Sequence, residues 1–285
     1  MDQKIIDLFD RFTHGGMNRR SFFNRLVALT GSTAAASALL PLLQNNYARA
    51  KTVPPSDSSI MAGPVTFQAG AQQLSGYQAW PVIGDKFPAA LVVHENRGLN
   101  PHIEDIARRL AFEGFLALAL DFLSPLGGTP ADEDKAREMI GTLKEGDVTA
   151  AAQAAVAYLR NHPASNGKVG AVGFCWGGGV VNRLAVAEPS LDAGVAYYGM
   201  QPPAADVPRI KAPLLLHYAG LDERINGGIP AYEAALKAAG KTYTLYMYEG
   251  VNHAFNNDTG SRYDKGAADL AWSRTLGFLQ QTLAS

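Results

Sequence analysis

A cysteine set between glycines, where an apolar run gives way to a helical pattern, constrains this chain more than any other feature. Residues 169–172 form the apolar run V-G-A-V, and the segment G-F-C-W-G-G follows at 173–178. Glycines at such a point let the backbones of a strand and a helix pass close together. The pattern predicts a sharp strand-to-helix turn that lifts Cys175 out of the sheet. The helix N-terminus then points at the sulfur, which favours the thiolate.

Cys175 is also the only cysteine among the 285 residues, so an intrachain disulfide is excluded. Two interpretations of the thiol remain. Most free cysteines are small buried apolar residues, whereas a cysteine on a strand-to-helix turn is placed as a nucleophile. The context at 173–178 favours the nucleophile.

Strand and helix patterns alternate from about residue 60 to the end of the chain. An opening antiparallel pair is predicted at 65–68 and 76–80. Buried strands are predicted from apolar runs at 89–94, 116–120, 168–174, 193–198, 214–218 and 243–248. A helical stretch at 132–160 has a break near 146–147. Strands that alternate with helices predict one α/β domain, with a mostly parallel twisted sheet and helices on both faces.

An acid and a base follow the cysteine in the order that such a sheet can use. Asp222 comes in a turn after the strand at 214–218, and His253 follows the strand at 243–248. Both lie past the carboxyl ends of strands, where open parallel sheets bind their ligands. His253 is expected to exchange protons with Cys175 and the leaving group, while Asp222 orients the imidazole.

The backbone N–H groups of Asn96 and Trp176 are expected to form the oxyanion hole.

The assignments of Asp222 as the acid and His253 as the base have alternatives. Asp222 could be a simple turn former, with Glu223 in its place, and His253 could be a surface residue or a helix cap. Among the other histidines, His14 is set aside because it lies in the leader.

Composition and motifs exclude several classes of protein. The formal net charge is −1 and no run of five basic residues occurs, which argues against nucleic-acid binding. The chain has no C-x-x-C and no H-E-x-x-H, so no metal site is predicted. The glycines at 173–179 lack the Lys-Ser/Thr of a phosphate loop. We therefore expect a small-molecule substrate and no cofactor.

The first 50 residues differ in character from the rest. N-R-R-S-F-F at 18–23 resembles a twin-arginine motif, an apolar stretch follows at 26–43, and A-R-A stands at 48–50. This order predicts a twin-arginine-type export signal at 1–50, read by the twin-arginine export machinery, and a linker at 51–59. The protein would be periplasmic or otherwise exported, without stable membrane insertion after signal removal. A cytoplasmic protein with an ordinary amphipathic N-terminal helix is the alternative.

With these residues in place, the chain resembles the dienelactone hydrolase (carboxymethylenebutenolidase-like) family of α/β-hydrolases over residues 60–285. The segments that carry the resemblance lie at 94–98, 121–123, 173–178, 197–199 and 253–255. The resemblance implies an α/β-hydrolase fold with no separate lid domain, a Cys-His-Asp triad, no cofactor, and hydrolysis of an enol-lactone.

The resemblance also implies roles for residues around the nucleophile. Glu95 would contact the resting thiol, where a carboxylate opposes thiolate formation until substrate displaces it. The alternative for Glu95 is a salt bridge to Arg97 or an interaction with a helix end. Aromatic side chains at Phe122, Tyr198 and Phe255 would form the wall of a substrate pocket.

The sequence departs from the family at two positions that hold the substrate carboxylate with arginine. One is occupied by Ser124-Pro125 and the other by Asn257, which cannot supply the charge. Arg97, Arg224 or Arg262 could substitute. The reaction is therefore predicted as hydrolysis of an ester or a lactone through a thioester acyl-enzyme, with the substrate left open.

Two functions of other classes use the same residues. An activated Cys175 could serve a thiol peroxidase or a redox sensor, although no second cysteine is available to resolve it. A hydrolase scaffold could also act as a non-catalytic binding module. The order of nucleophile, acid and base favours the hydrolase.

Overall fold

One eight-stranded sheet positions the residues described above. In the computed structural model, which describes residues 1–284, the strand order is β1-β2-β4-β3-β5-β6-β7-β8. The strands are β1 (Ile60–Ala69), β2 (Gln72–Pro81), β3 (Phe87–Val93), β4 (Leu116–Asp121), β5 (Ser165–Phe174), β6 (Ala193–Tyr197), β7 (Leu214–Ala219) and β8 (Tyr243–Tyr248). β2 is antiparallel to both of its neighbours, and the other pairs are parallel. The predicted mostly parallel sheet is confirmed.

Helices cover both faces of the sheet. They are α1 (Gln3–Thr13), α2 (Arg19–Thr30), α3 (Thr33–Leu43), α4 (Pro101–Phe112), α5 (Glu133–Thr142), α6 (Glu145–Arg160), α7 (Trp176–Ala187), α8 (Glu223–Asn226), α9 (Ile229–Ala238) and α10 (Lys265–Leu283). Apolar side chains of α6, α7 and α9 pack in the core on one face, and those of α4 and α10 pack on the other. These are the two layers of an α/β-hydrolase.

The helical stretch at 132–160 is broken, but three residues earlier than the sequence predicts. α5 ends at Thr142 and α6 begins at Glu145, so the break lies at 143–144 rather than near 146–147. Leu143 adopts an extended backbone and packs its partly buried side chain against the core. The glycine at 146 lies inside α6 and does not end a helix.

The strand order changes direction at β3. The chain runs from β3 outward to β4 and then returns to place β5 on the other side of β3. The loops that leave β3 and β5 therefore diverge at the carboxyl edge of the sheet, which opens a crevice between them. Asn96 lies on the first of these loops and Cys175 on the second.

Residues 1–49 form three helices that lie against this carboxyl edge. They have a small core of their own, in which the rings of Phe12 and Phe22 stack with centroids 4.6 Å apart. The segment is held to the domain by ion pairs, among them Arg262 with Asp10 and Arg19 with Asp134. Within residues 60–284 no separate domain is inserted between the strands, and residues of α1, α5 and α8 line the crevice.

The linker predicted at 51–59 has no helix or strand, and its start is tied to α4. The backbone N–H groups of Thr52 and Val53 donate to the Asp105 carboxylate at 3.2 and 3.1 Å.

No single helix of the described residues is long and apolar enough to cross a membrane. The two helical segments Arg19–Thr30 and Thr33–Arg49, which are bent by 115° at their junction, together have the length and composition of a membrane span. Length and composition are the only support for that interpretation.

Candidate active site

Cys175 stands on the sharp turn between β5 and α7 that the sequence predicts. Its backbone has φ 56° and ψ −115°, a conformation that L-residues rarely adopt. The turn needs glycine two residues later, because a Cβ on Gly177 would overlap the carbonyl oxygens of Val93 and His94. Close approach of α7 to β3 therefore sets the sulfur at the carboxyl edge of the sheet.

Backbone strain is concentrated around this turn. Among the described residues, the non-glycine residues with positive φ are Cys175, Tyr198 and Ala254, and each lies beside the nucleophile or next to His253. Strained residues of this kind cost about 1–3 kcal/mol each and persist where the surrounding structure fixes them. Their clustering marks the carboxyl edge of β5 and β6 as the functional region.

The imidazole of His253 is held by Asp222. His253 Nδ1 donates to Asp222 Oδ2 at 2.5 Å, and both side chains are buried. Asp222 also precedes α8, where its other oxygen accepts a hydrogen bond from the backbone N–H of Ile225 at 3.3 Å. The turn-former and acid interpretations of Asp222 are thus compatible.

The charges of the site set the proton affinity of this pair. Burial pulls the pKa of His253 down, but the charges of Cys175 and Asp222 outweigh burial and hold that pKa above 6.5. Burial pushes the pKa of Asp222 up, but the charge and hydrogen bond of His253 outweigh it, so the Asp222 pKa lies below its usual value. His253 therefore holds its proton more tightly than a free imidazole, and Asp222 holds its proton less tightly than a free carboxyl group.

A second histidine, His14, for which the sequence predicts no role in the site, lies at the thiol. His14 Nε2 is 3.3 Å from Cys175 Sγ. Three potential ligand atoms, one from each of His14, Cys175 and His253, lie within 4.8 Å of one another. This spacing could hold a metal ion. Sequence motifs could not show this set, because its members come from distant parts of the chain.

Glu95 lies near the nucleophile but has a different hydrogen-bond partner from the one expected. Glu95 and Cys175 line the same small cavity. The Glu95 Oε2 accepts from Asn257 Nδ2 at 2.7 Å, and Oε1 is buried without a partner in the described residues. Arg97, the alternative partner, pairs with Glu133 at 2.8 Å instead. The thiol hydrogen-bonds His14 rather than Glu95.

His94 fixes the loop that follows β3. Its Nδ1 donates to the Glu95 carbonyl oxygen at 2.7 Å, and its Nε2 accepts from the Phe122 backbone N–H at 3.3 Å. Burial lowers the pKa of His94, so the ring stays neutral. This bridge ties the loop bearing Asn96 to the end of β4.

A cavity of about 740 Å³ opens beside Cys175. Asn96, Cys175, Trp176 and Tyr198 line it, together with residues 13–15 and 17–19 of the N-terminal segment. Trp176 is the first residue of α7, where backbone N–H groups have no partner within the helix. Asn96 and Trp176 thus border the same cavity as Cys175.

Two of the three predicted pocket aromatics do not line this cavity. Phe255 is fully buried and packs beneath Tyr198, with ring centroids 5.4 Å apart. Phe122 is buried and meets the Trp176 ring edge-on at 5.4 Å. Phe122 and Phe255 instead pack behind Trp176 and Tyr198, respectively, which do line the cavity.

Comparison with known proteins places this site in a family. The model of the dienelactone hydrolase family matches residues 74–283, which include Cys175, Asp222 and His253. The chain belongs to the dienelactone hydrolase family.

Named relatives agree with this assignment. A protein of Methylorubrum extorquens provisionally named carboxymethylenebutenolidase is 31% identical over 271 residues, covering 90% of this chain and 91% of that protein. A Bradyrhizobium protein provisionally named 2-oxo-3-(5-oxofuran-2-ylidene)propanoate lactonase is 32% identical over 218 residues, covering 72% of this chain and 88% of that protein. This dienelactone hydrolase family member is therefore an enzyme that hydrolyses ester or lactone bonds.

A solved structure shows the same fold. A protein of Klebsiella pneumoniae provisionally named dienelactone hydrolase superposes with a TM-score of 0.72 at 27% sequence identity. The match covers 79% of this chain and 100% of that one. The predicted α/β-hydrolase fold of the dienelactone hydrolase family is confirmed.

Proposed function

We propose that this dienelactone hydrolase family member cleaves its substrate through a thioester on Cys175, with Asp222 and His253 completing a Cys-His-Asp triad. One observation carries the proposal: the His253 imidazole is held by Asp222 at 2.5 Å with its ring nitrogen near the sulfur at the strained turn after β5. A nucleophile, a base and an orienting acid in this order are the parts that covalent hydrolysis needs.

In the proposed reaction the thiol of Cys175 gives its proton to an adjacent imidazole, and the sulfur attacks the substrate carbonyl carbon as the C–O bond to the leaving group breaks. The backbone N–H groups of Asn96 and Trp176 stabilise the charge that develops on the carbonyl oxygen, a contribution of about 10²–10³ in turnover for one donor. His253 passes a proton to the leaving oxygen and later takes one from water. Asp222 stabilises the charged imidazole while the proton is on it.

The substrate is proposed to be a neutral ester or lactone. Asn257 stands where the resemblance implies an arginine, and it is committed to Glu95 and to Thr259, whose Oγ1 donates to it at 2.6 Å. Arg97 and Arg262, two candidates to replace the carboxylate clamp, pair with acidic side chains instead. The third candidate, Arg224, lines the cavity beside Cys175. The proposal of a neutral substrate therefore rests on Asn257, Arg97 and Arg262, and a preference for an anionic ester would assign the clamp to Arg224.

A matched pair of esters tests this proposal on the full chain. We expect p-nitrophenyl butyrate to have a higher kcat/KM than the mono-p-nitrophenyl ester of succinate, because the second carries a carboxylate of similar size. An enol-lactone assayed alongside shows whether lactones share the site. A preference for the anionic ester would contradict the neutral substrate, and no turnover of any of the three would contradict the hydrolytic mechanism.

We also propose that the protein is exported through the twin-arginine route. Arg19 and Arg20 begin α2 and are exposed, where an export receptor can contact them. Lysine at both positions keeps the charge but removes the guanidinium geometry. We expect Arg19→Lys with Arg20→Lys to retain the protein in the cytoplasm on cell fractionation, whereas the wild type reaches the periplasm. Equal fractionation of the two proteins would overturn the proposal.

A further inference from the structure

The N-terminal segment brings His14 to the nucleophile and holds it there. His14 caps the end of α1, and its Nε2 makes a hydrogen bond of 3.3 Å with Cys175 Sγ. The ring packs edge-on against His253 with centroids 4.7 Å apart. Next to it, the Thr13 carbonyl accepts from Asn96 Nδ2 at 2.7 Å. The segment is thus fastened to both sides of the sulfur.

The hydrogen bonds of the His14 ring show which nitrogen can accept a proton. Its Nδ1 lies 2.8 Å from the backbone carbonyl of Asp10, an oxygen that can only accept. Nδ1 therefore carries the hydrogen of the neutral ring, and Nε2 presents its lone pair to the thiol. The chain folds here so that a proton acceptor faces Cys175.

A carboxylate stands behind this imidazole. Asp10 Oδ2 is 3.3 Å from His14 Nδ1, and the carboxylate also pairs with Arg262. Burial pushes the pKa of Asp10 up, but His14, His253 and Arg262 outweigh burial and keep that pKa well below its usual value. Asp10 therefore stays ionised and can stabilise a protonated His14, as Asp222 does for His253.

His253 is engaged differently. Its Nε2 is buried and has no hydrogen-bond partner among residues 1–284. The thiol thus hydrogen-bonds His14, while His253 Nε2 lies within 4.8 Å of the sulfur without a hydrogen bond of normal geometry to it. The N-terminal segment also leaves room for that substrate, since it forms one wall of the cavity beside Cys175.

We propose that His14 is a catalytic residue, the base that removes the proton from Cys175, and that His253 acts on the leaving group. The S–H bond breaks and its proton moves to His14 Nε2, while sulfur bonds to the carbonyl carbon. The ester C–O bond breaks, and the leaving oxygen takes a proton from protonated His253. This assignment rests on the proposed function, because it needs Cys175 as the nucleophile. It applies to the chain that retains residues 1–50, since removal of the export signal would remove His14.

The second half of the reaction restores both histidines. Neutral His253 takes a proton from water, and the water oxygen bonds to the thioester carbonyl carbon. The C–S bond breaks, and the sulfur recovers its proton from His14. The net change is one ester and one water converted to an acid and an alcohol. Removal of the thiol proton, which belongs to acylation, depends on His14. Deacylation depends on His253 for the attack of water, and the sulfur leaves as a thiolate before His14 returns its proton.

Glutamine at position 14 tests this division in the full chain, because it keeps a polar contact but cannot take up a proton. We expect His14→Gln to slow the acylation rate for p-nitrophenyl butyrate about 10²-fold in stopped flow, a typical loss for a proton-transfer group. Deacylation should stay within about twofold of wild type, since it uses His253. Alkylation of Cys175 by iodoacetamide at neutral pH should slow by about tenfold or more.

Gln3→Ala is the matched control, since Gln3 joins the segment to Asn252 at 2.5 Å without touching the sulfur. We expect it to acylate and alkylate at wild-type rates. Acylation in His14→Gln that is as fast as wild type, or faster, would overturn the proposal and mark His14 as a shield over the thiol. Alkylation needs no ester turnover, so it tests His14 even if the proposed function fails.

Discussion

Replacing Cys175 with alanine will lower kcat/KM for p-nitrophenyl butyrate by about 10⁴-fold or more, because the substitution removes the atom that forms the proposed acyl-enzyme. The fold will survive, since alanine loses only one buried sulfur and keeps the Cβ. The measurement is steady-state hydrolysis of the full chain beside thermal unfolding of the same preparation.

Serine at position 175 is the matched comparison. A hydroxyl has the shape of the thiol but gives up its proton far less readily, so Cys175→Ser should fold normally and retain little activity. A Cys175→Ala protein that unfolds at a much lower temperature would make the residue a structural cysteine. Hydrolysis that continues in a folded Cys175→Ala protein would remove it from the mechanism.

Replacing Gly177 with alanine will destabilise the protein by more than about 3 kcal/mol, at the upper end of what overpacking costs. The new Cβ would overlap the carbonyl oxygens of Val93 and His94, which are backbone atoms of the sheet and its catalytic loop. Either α7 moves away from β3 or the loop bearing Asn96 shifts, so activity should fall with stability. Urea unfolding at equilibrium measures the change.

Gly277 provides the control within α10. A Cβ there meets no atom within 4 Å, so Gly277→Ala should raise the free energy of unfolding by about 0.5–1 kcal/mol through helix propensity. Equal stability of Gly177→Ala and wild type would show that the turn can relax. The close packing of α7 on β3 would then not be what positions Cys175.

The sheet and the turn at Cys175 could be predicted because their signals are local. Each buried strand is a short apolar run, and the glycines around 173–178 are needed by steric contacts that the structure shows directly. The pairing of Asp222 with His253 also follows from chain order, since both residues come after strands of one parallel sheet. Local pattern and global topology agree at these positions.

Other features of the site could not be predicted because they depend on side-chain packing between distant segments. Phe122 and Phe255 are close in sequence to residues of the site, but their side chains are buried in the core. His14 reaches Cys175 only after α1–α3 have packed on a domain whose nucleophile is 161 positions away. Its single local sign is the four-residue spacing from Asp10, which occurs on any charged helix.

Trapping the acyl-enzyme tests the central claim most directly. The full chain would be quenched in acid during turnover of p-nitrophenyl butyrate, and its intact mass and peptide map recorded. The proposed mechanism predicts a mass increase of one butyryl group, located on the peptide that contains Cys175 and absent from Cys175→Ala. A butyryl group on another residue, or rapid turnover with no adduct at any time point, would contradict the thioester mechanism.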